Sequence, residues 1–101
     1  MTACEIVELE RWGVVLGSRA LGDEVRRSVA NALRSATCVR VSFAGVDVVS
    51  SSFADEAIAQ LLPELGLVDF KRRIRLTDAN DRVKSVVTSA LSKRRDMIAC
   101  L

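Results

Sequence analysis

Residues 50–52 are three consecutive serines, standing where an apolar run ends and a helical pattern begins. The start of a helix leaves backbone N–H groups without internal partners, and a hydroxyl at the cap position accepts a hydrogen bond from one of them. Ser52, with Asp55 three residues later, resembles a capping box in which Asp replaces the preferred Glu. Capping therefore explains one hydroxyl, and the other two are either ordinary polar loop residues or groups with a further role.

The same helix start is favourable for negative charge, because its free N–H groups and the positive end of the helix dipole attract anions. A phosphoryl group on Ser51 or Ser52 would add close to two negative charges at pH 7. Beside Asp55 and Glu56, that charge would repel a partner docked over this corner, while the free domain would tolerate it. The pattern predicts a phosphorylation switch with Ser51 and Ser52 as the phosphoacceptors.

Arg19 follows Ser18, the predicted cap of the first helix, and a cation at that position opposes the helix dipole. Its guanidinium is expected to turn toward an acidic neighbour, as a structural ion pair, or toward a bound anion. Two functions stay open for this corner of the molecule: docking of a protein partner, and capture of a small anion or nucleotide at the helix starts. The residues predicted to form the corner around the phosphoacceptors are Ser18, Arg19, Ser50, Phe53, Asp55 and Glu56.

Catalysis is not expected from this sequence. The chain has no histidine and no tyrosine, which excludes Ser-His-Asp and Cys-His arrangements. Asp55 and Glu56 are adjacent on a predicted helix, so their side chains diverge by about 100° and do not flank one bond as a carboxylate pair. The glycines have neither the spacing nor the lysine of a phosphate-binding loop. We expect no catalytic residue, no cofactor and no metal site.

Composition predicts a single small domain of 101 residues with a formal charge of +2, which does not favour nucleic acid as a partner. Two basic clusters, 71–73 and 93–95, are either a phosphate-contacting patch or a charged strand entry and a last helix turn. No run is long and apolar enough for a membrane span, and no secretion signal is evident. Cys4, Cys38 and Cys100 are an odd set without a close pair, and are interpreted as reduced thiols in a cytoplasmic protein, with Cys100 exposed.

Strand and helix patterns alternate along the chain. Alternation of apolar and charged residues predicts strands around Val7, Val41 and Ile74, and residues 14–16 are predicted to pair with the first strand as a hairpin. Apolar residues at helical spacing predict three helices, the second kinked or ended early by Pro63. Gly66 closes that helix. The two candidate caps of the last helix are Asp78 and Asn80.

This order predicts an α/β fold, in which a mixed four-stranded sheet is built from the N-terminal hairpin followed by parallel βαβα units. Alternate residues of each strand, which face the same side of the sheet, are charged, so the helices are expected mainly on the other face. The charged residues are Glu8, Glu10, Arg40, Arg73 and Arg75. These side chains either form acid–base pairs across strands or are separately solvated, and the open face is either wet or a homodimer surface. Residues 1–101 form one domain, with 96–101 expected as a loose tail.

Three stretches carry a resemblance to a known family: residues 17–22 (GSRALG), 41–46 (VSFAGV) and 51–56 (SSFADE). Together they resemble the bacterial STAS-like domains of unknown function, relatives of the anti-anti-sigma factors, over about residues 5–95. The resemblance implies a serine phosphorylated by an anti-sigma kinase, a histidine-kinase-like ATPase that binds only the unphosphorylated form. Ser51 matches that acceptor best. The chain differs from anti-anti-sigma factors at Phe53, where they have glycine, and from STAS-like relatives at Ser42, where Asp is frequent.

Overall fold

The computed structural model of the protein describes residues 4–99, and within them a mixed α/β domain with five strands. The expected loose tail at 96–101 overlaps the last helix, which runs to Ala99, while residues 100 and 101, and with them the prediction for Cys100, lie outside the described residues. The strands are β1 (Cys4–Glu8), β2 (Val15–Leu16), β3 (Cys38–Ser42), β4 (Val48–Val49) and β5 (Ile74–Thr77).

Helices fill the connections between these strands. They are α1 (Arg19–Ser35), α2 (Ser51–Ala54), α3 (Leu61–Leu65), α4 (Leu67–Arg73) and α5 (Asp81–Ala99). A π-helical stretch, Asp55–Ala59, joins α2 to α3, and we call the whole of residues 51–65 the central segment. A 3-10 helix, Leu9–Trp12, follows β1.

The strands form two parallel sheets, not the single four-stranded sheet predicted. One has three strands in the order β1-β3-β5, and the other pairs β2 with β4. In the larger sheet Val7, Val41 and Leu76 lie side by side in one row, and the first two are buried in the core cluster beside the apolar face of α1. The α/β class and the parallel pairing of β3 with β5 are as expected.

The predicted N-terminal hairpin is wrong. Leu9 is fully buried and begins the 3-10 helix, so the chain leaves β1 there and does not fold back along it. A two-residue hairpin turn needs residues that tolerate positive φ, and among residues 9–14, between β1 and β2, only Gly13 has a positive φ. Residues 15 and 16 do form a strand, but its partner is β4, with Leu16 beside Val49.

On the charged face of the larger sheet, directly opposite residues of neighbouring strands do not form acid–base pairs. Ile6, Arg40 and Arg75 occupy one row across the three strands, and Glu8 lies beside Ser42. Arg73, expected on the last strand, ends α4. It donates to three backbone carbonyls at the end of α1 and in the loop after it, the shortest contact being 2.7 Å to Leu33 O. The sequence reading missed α4 because its charged last turn has the pattern of a strand entry.

The interpretation of all three cysteines as reduced thiols is also wrong. Cys4 and Cys38 are direct neighbours on β1 and β3, with their Cα atoms 4.6 Å apart, and a disulfide joins them. A spacing of 34 residues gives no sign of this pairing, because the contact is made by strands that are distant in sequence.

Reduction of this disulfide is expected to lower the free energy of unfolding by about 4 kcal/mol, because the bond closes a long loop in the unfolded chain. Denaturant titration with and without reductant, in a Cys100→Ser background, measures the effect. In a control with Cys4→Ser and Cys38→Ser added, reductant should change nothing. Equal stability of the oxidised and reduced parent would contradict the pairing.

Gly22 marks the closest approach between α1 and the central segment. A Cβ at this position would lie 2.8 Å from Glu56 Cβ and 3.0 Å from Phe53 O. Because one of these atoms is backbone and the other is the root of a side chain, neither can move aside alone. The absence of a side chain at Gly22 therefore sets the distance between the two helices.

Gly22→Ala is expected to destabilise the protein by about 1 to 3 kcal/mol, since overpacking outweighs the better helix propensity of alanine. Thermal or urea unfolding measures the change. Gly17→Ala is the matched control, because no heavy atom lies within 4 Å of a Cβ built there. A Gly22→Ala protein as stable as the parent would show that α1 is not held this close.

Candidate functional site

Ser18 and Ser50 cap the two helices that meet at the predicted corner. Ser18 Oγ accepts a hydrogen bond from Leu21 N at 3.1 Å. Ser50 Oγ accepts from Phe53 N at 3.0 Å and donates to Gly17 O at the same distance. One hydroxyl thus caps the central segment and ties it to the residue before the other cap.

The capping box predicted from Ser52 and Asp55 is wrong, because the helix begins two residues earlier than that box requires. Ser50 is the cap, so Ser51 and Ser52 occupy the first two helical positions. Both side chains are exposed, and among the side chains that the structure describes, those of residues 4–95, neither hydroxyl has a hydrogen-bond partner. The two predicted phosphoacceptors are therefore not required for capping.

Ser51 and Ser52 line a cleft of about 360 Å³ between the start of the central segment and α5, which we call the serine cleft. Among the described residues, its charged lining consists of three cations and one carboxylate: Arg19, Lys93, Arg94 and Asp55. The sequence left residues 93–95 open between a phosphate-contacting patch and a last helix turn, and did not connect them with the serines. The last-turn prediction is wrong, because α5 continues to Ala99 and its last turn contains no basic residue. Helix α5 brings the two together.

Asp55 is the centre of the ion pairs beside the cleft. Arg94 donates to both of its carboxylate oxygens at 2.8 Å, and Arg19 adds a contact at 3.1 Å. These hydrogen bonds, that of Arg94 above all, outweigh the opposing effect of burial and lower the pKa of Asp55 to about 2. The carboxylate is therefore ionised throughout the physiological range and holds α5 against the central segment.

Glu56, the next residue, binds arginines on α1. It accepts hydrogen bonds from Arg26 and, at 3.0 Å, from Arg19. Within the central segment, Gln60 Nε2 also donates to it, at 2.9 Å. Burial alone would raise the pKa of Glu56, but the hydrogen bonds from Arg26 and Arg19 outweigh it and the pKa is lowered. Asp23 extends the group, because Arg26 also donates to it at 2.7 Å.

Arg19 is placed as the sequence indicated. It contacts Asp55 and Glu56 together while its own side chain stays 53% exposed. These hydrogen bonds raise the pKa of its guanidinium. Arg19 thus acts as an ion-pair partner that still has a face open to the cleft.

Phe53 does not belong to the surface of the corner. Its side chain is fully buried in the core, so the prediction that it lines a binding surface is wrong. The reason is its helix position: Phe53 faces inward with Ala54 and Ala57, while Ser51 and Ser52 face outward. An aromatic residue here adds to the core and leaves the surface to the small serines.

The π-helical stretch, Asp55–Ala59, follows α2 in the central segment. Gln60 N donates to Asp55 O, five residues back, at 3.0 Å. Pro63 lies just beyond and has no N–H for the carbonyl of Ala59, which favours a widened turn upstream. The sequence predicted that Pro63 kinks the helix or ends it early, and that Gly66 closes it. Pro63 lies inside α3, so the helix does not stop there, and the central segment does end at Gly66, where φ is 84°.

Arg26, Lys93 and Arg94 are charged members of this site that sequence reasoning missed. A usable signal existed for Arg26, since Arg19, Gly22 and Arg26 share one helix face at steps of three and four. Arg94 carried no such signal, because its partner Asp55 is 39 residues away.

Within the described residues, no group of histidine, cysteine, aspartate or glutamate side chains could hold a metal ion. The described helices also include none that is both long enough and apolar enough to cross a membrane.

The family model of the STAS-like domain of unknown function matches residues 22–84, which is more than half of the chain. The chain belongs to this family, and the resemblance drawn from its sequence is confirmed. No curated protein and no solved structure matches it significantly. The matched range contains Arg26, Asp55, Glu56 and the three serines at 50–52, but ends before Arg94.

Acid should weaken the fold through Asp55. Its pKa in the folded protein lies below the ordinary 3.8, so its stabilisation is complete above about pH 4 and is lost as the pH falls toward 2. The shift corresponds to at most about 2.5 kcal/mol, and solvent screening around Arg19 reduces this to on the order of 1 kcal/mol. Urea unfolding between pH 2 and pH 5 should show this loss.

Asp55→Asn should reduce the pH dependence, to which Glu56, with its own lowered pKa, still contributes, whereas Asp69→Asn, at an exposed carboxylate on α4, should leave it intact. A titration midpoint for the Asp55 carboxyl near 4, measured by NMR, would contradict the assigned ion pairs.

Proposed function

We propose that this chain is a non-catalytic regulatory domain that binds a protein partner over the serine cleft and is switched by phosphorylation of Ser51 or Ser52. One observation carries the proposal: the two hydroxyls are exposed and without partners in the described part of the chain, while neighbouring serines do all the capping. Structural demands on this helix start are already met by Ser50. The two extra hydroxyls are thus free for modification.

The charge of the cleft suggests how the switch would act. With three cations and one carboxylate in its lining, the unmodified cleft is positive and suits an acidic surface of a partner. A phosphoryl group at Ser51 or Ser52 would add close to two negative charges and cancel most of that excess. The free domain tolerates the group, because Arg19 and Lys93 lie in the same cleft. Release of the partner follows from lost attraction and from repulsion.

The proposed partner is a histidine-kinase-like ATPase of the anti-sigma class, which would both bind the domain and phosphorylate it. This assignment rests on the resemblance to anti-anti-sigma factors, and Ser51 is the acceptor that matches by position. Family membership itself gives only a STAS-like domain of unknown function. The serine cleft supplies the surface on which the two steps would occur.

Phosphoryl transfer tests the acceptor. The purified domain is incubated with ATP and a histidine-kinase-like ATPase encoded next to its gene, and intact-mass and peptide mass spectrometry locate the phosphate. We expect one phosphate on Ser51 or Ser52, and none on the Ser51→Ala, Ser52→Ala double variant. Ser85→Ala, at an exposed serine on α5, is the control. Phosphate found at any other residue would contradict the assignment of Ser51 or Ser52 as the phosphoacceptor.

Binding tests the switch. Ser51→Asp is expected to weaken affinity for the same ATPase by about tenfold or more, which corresponds to about 1.4 kcal/mol, measured by calorimetry. Ser85→Asp adds the same charge on α5 at a residue outside the cleft lining and should bind like the parent. Parental affinity of both Ser51→Asp and Ser52→Asp would refute the electrostatic mechanism.

A second candidate function is capture of a small anion or nucleotide in the same cleft. The convergence of Arg19, Lys93 and Arg94 on a helix start favours it, because cations and free N–H groups both attract phosphate. Thermal shift with inorganic phosphate, ATP and GTP separates the candidates. A rise in Tm that disappears in Lys93→Gln would support ligand capture, and flat melting curves would leave partner docking.

A further inference from the structure

An open cleft of about 690 Å³ lies at the amino-terminal edge of the three-stranded sheet, where β1, β3 and β5 begin. Four arginines from three elements line it, together with both sulfur-bearing residues of the disulfide, and its described lining contains no acidic residue. These residues are Arg34, Arg72, Arg73, Arg75, Cys4 and Cys38. We call it the arginine cleft. The serine cleft, by contrast, is lined by the start of α1, by the start of the central segment and by α5.

The four arginines are not equally committed to the fold. Arg73 satisfies carbonyls at the end of α1, as described above. Arg72 has only a long contact, 3.8 Å, with Asp69 on its own helix. Arg34 and Arg75 have no ion pair and no side-chain hydrogen bond with the described side chains, those of residues 4–95. The cleft therefore has positive charge in excess of what holds the chain together.

The disulfide is accessible from one side. Cys4, on the edge strand β1, is exposed, whereas Cys38 on the central strand is only 8% exposed. Exchange requires a thiolate to reach one sulfur, and attack is expected at Cys4 because it is the more exposed of the two residues. Guanidinium groups in the same cleft attract an anionic attacker and stabilise the thiolate that leaves.

From these two features we infer that the Cys4–Cys38 disulfide is a thiol-exchange site for a small thiol that carries carboxylate groups. The arginines select the ligand by charge, and the disulfide is the group that it modifies. Structural disulfides are usually shielded, but this one shares a cleft with two uncommitted cations. The edge position adds a consequence, because the described part of β1 pairs with β3 alone and loses its covalent tie when the bond opens.

The exchange takes place in two steps, each of which breaks one sulfur–sulfur bond and forms another. Solvent removes the proton of the thiol, and the thiolate attacks Cys4 Sγ. A new sulfur–sulfur bond forms there, the Cys4–Cys38 bond breaks, and its electron pair passes to Cys38 Sγ as a thiolate. A second molecule of the thiol attacks the mixed disulfide, which yields the reduced pair and the disulfide of the small thiol. Each cycle oxidises two thiols and reduces one protein disulfide.

The test compares two probes with the same thiol: glutathione, which has two carboxylates, and its diethyl ester, in which both are blocked. Opening of the disulfide in the full chain with Cys100→Ser is followed by acid quench, alkylation and mass spectrometry. At equal thiolate concentration and low salt, glutathione should react about tenfold faster than the ester, because the cleft concentrates anions. Added salt should reduce that ratio.

The variant Arg34→Gln, Arg75→Gln should bring the two rates together, while Arg27→Gln, an exposed arginine of α1 outside the cleft, should keep the parental ratio. Equal rates for the two probes in the parent would overturn the inference. So would a ratio that survives loss of both arginines. Alkylation of Cys4 and Cys38 before any thiol is added would overturn it as well, since no bond would then be present to exchange.

Discussion

Asp55 and Glu56 are neighbours in sequence that bind arginines on two different helices, and the geometry of the corner depends on this divergence. Adjacent side chains on a helix point about 100° apart. Asp55 therefore meets Arg94 on α5, and Glu56 meets Arg26 on α1, while Arg19 contacts both carboxylates. Partly exposed ion pairs contribute little individually. Their main effect is to fix the start of the central segment between two helices.

That placement explains why the serines at this start have unequal roles. Ser50 is committed twice, to Phe53 N and to Gly17 O, and its hydroxyl is part of the fold. Ser51 and Ser52 are held in position by the same helix but make no hydrogen bond through their hydroxyls in the described chain. A group can be added to them without breaking a structural contact. The ion pairs of Asp55 do not change with pH near neutrality, since the pKa of Asp55 is about 2 and its carboxylate stays ionised.

The sequence was sufficient for features set by local patterns and insufficient for those set by distant contacts. Helix α1, strand β5, the cap of the last helix at Asn80 and the end of the central segment follow from spacing and capping chemistry. The pairing of β2 with β4 and the disulfide join segments more than 30 residues apart. Helix α4 was hidden because its three basic residues also fit a strand entry. The cap was misplaced by two residues because Ser50, Ser51 and Ser52 are chemically alike.

The stripe of Arg19, Gly22 and Arg26 shows how a local pattern can anticipate a distant contact. A glycine between two arginines on one helix face costs helix propensity, so it is best explained by a partner that approaches closely. The structure supplies that partner as Glu56, whose Cβ would clash with any side chain at Gly22, and whose carboxylate both arginines reach. Close packing and ion pairing are thus one requirement, because only a glycine lets the backbones come near enough for the arginines to bind the acid from either side.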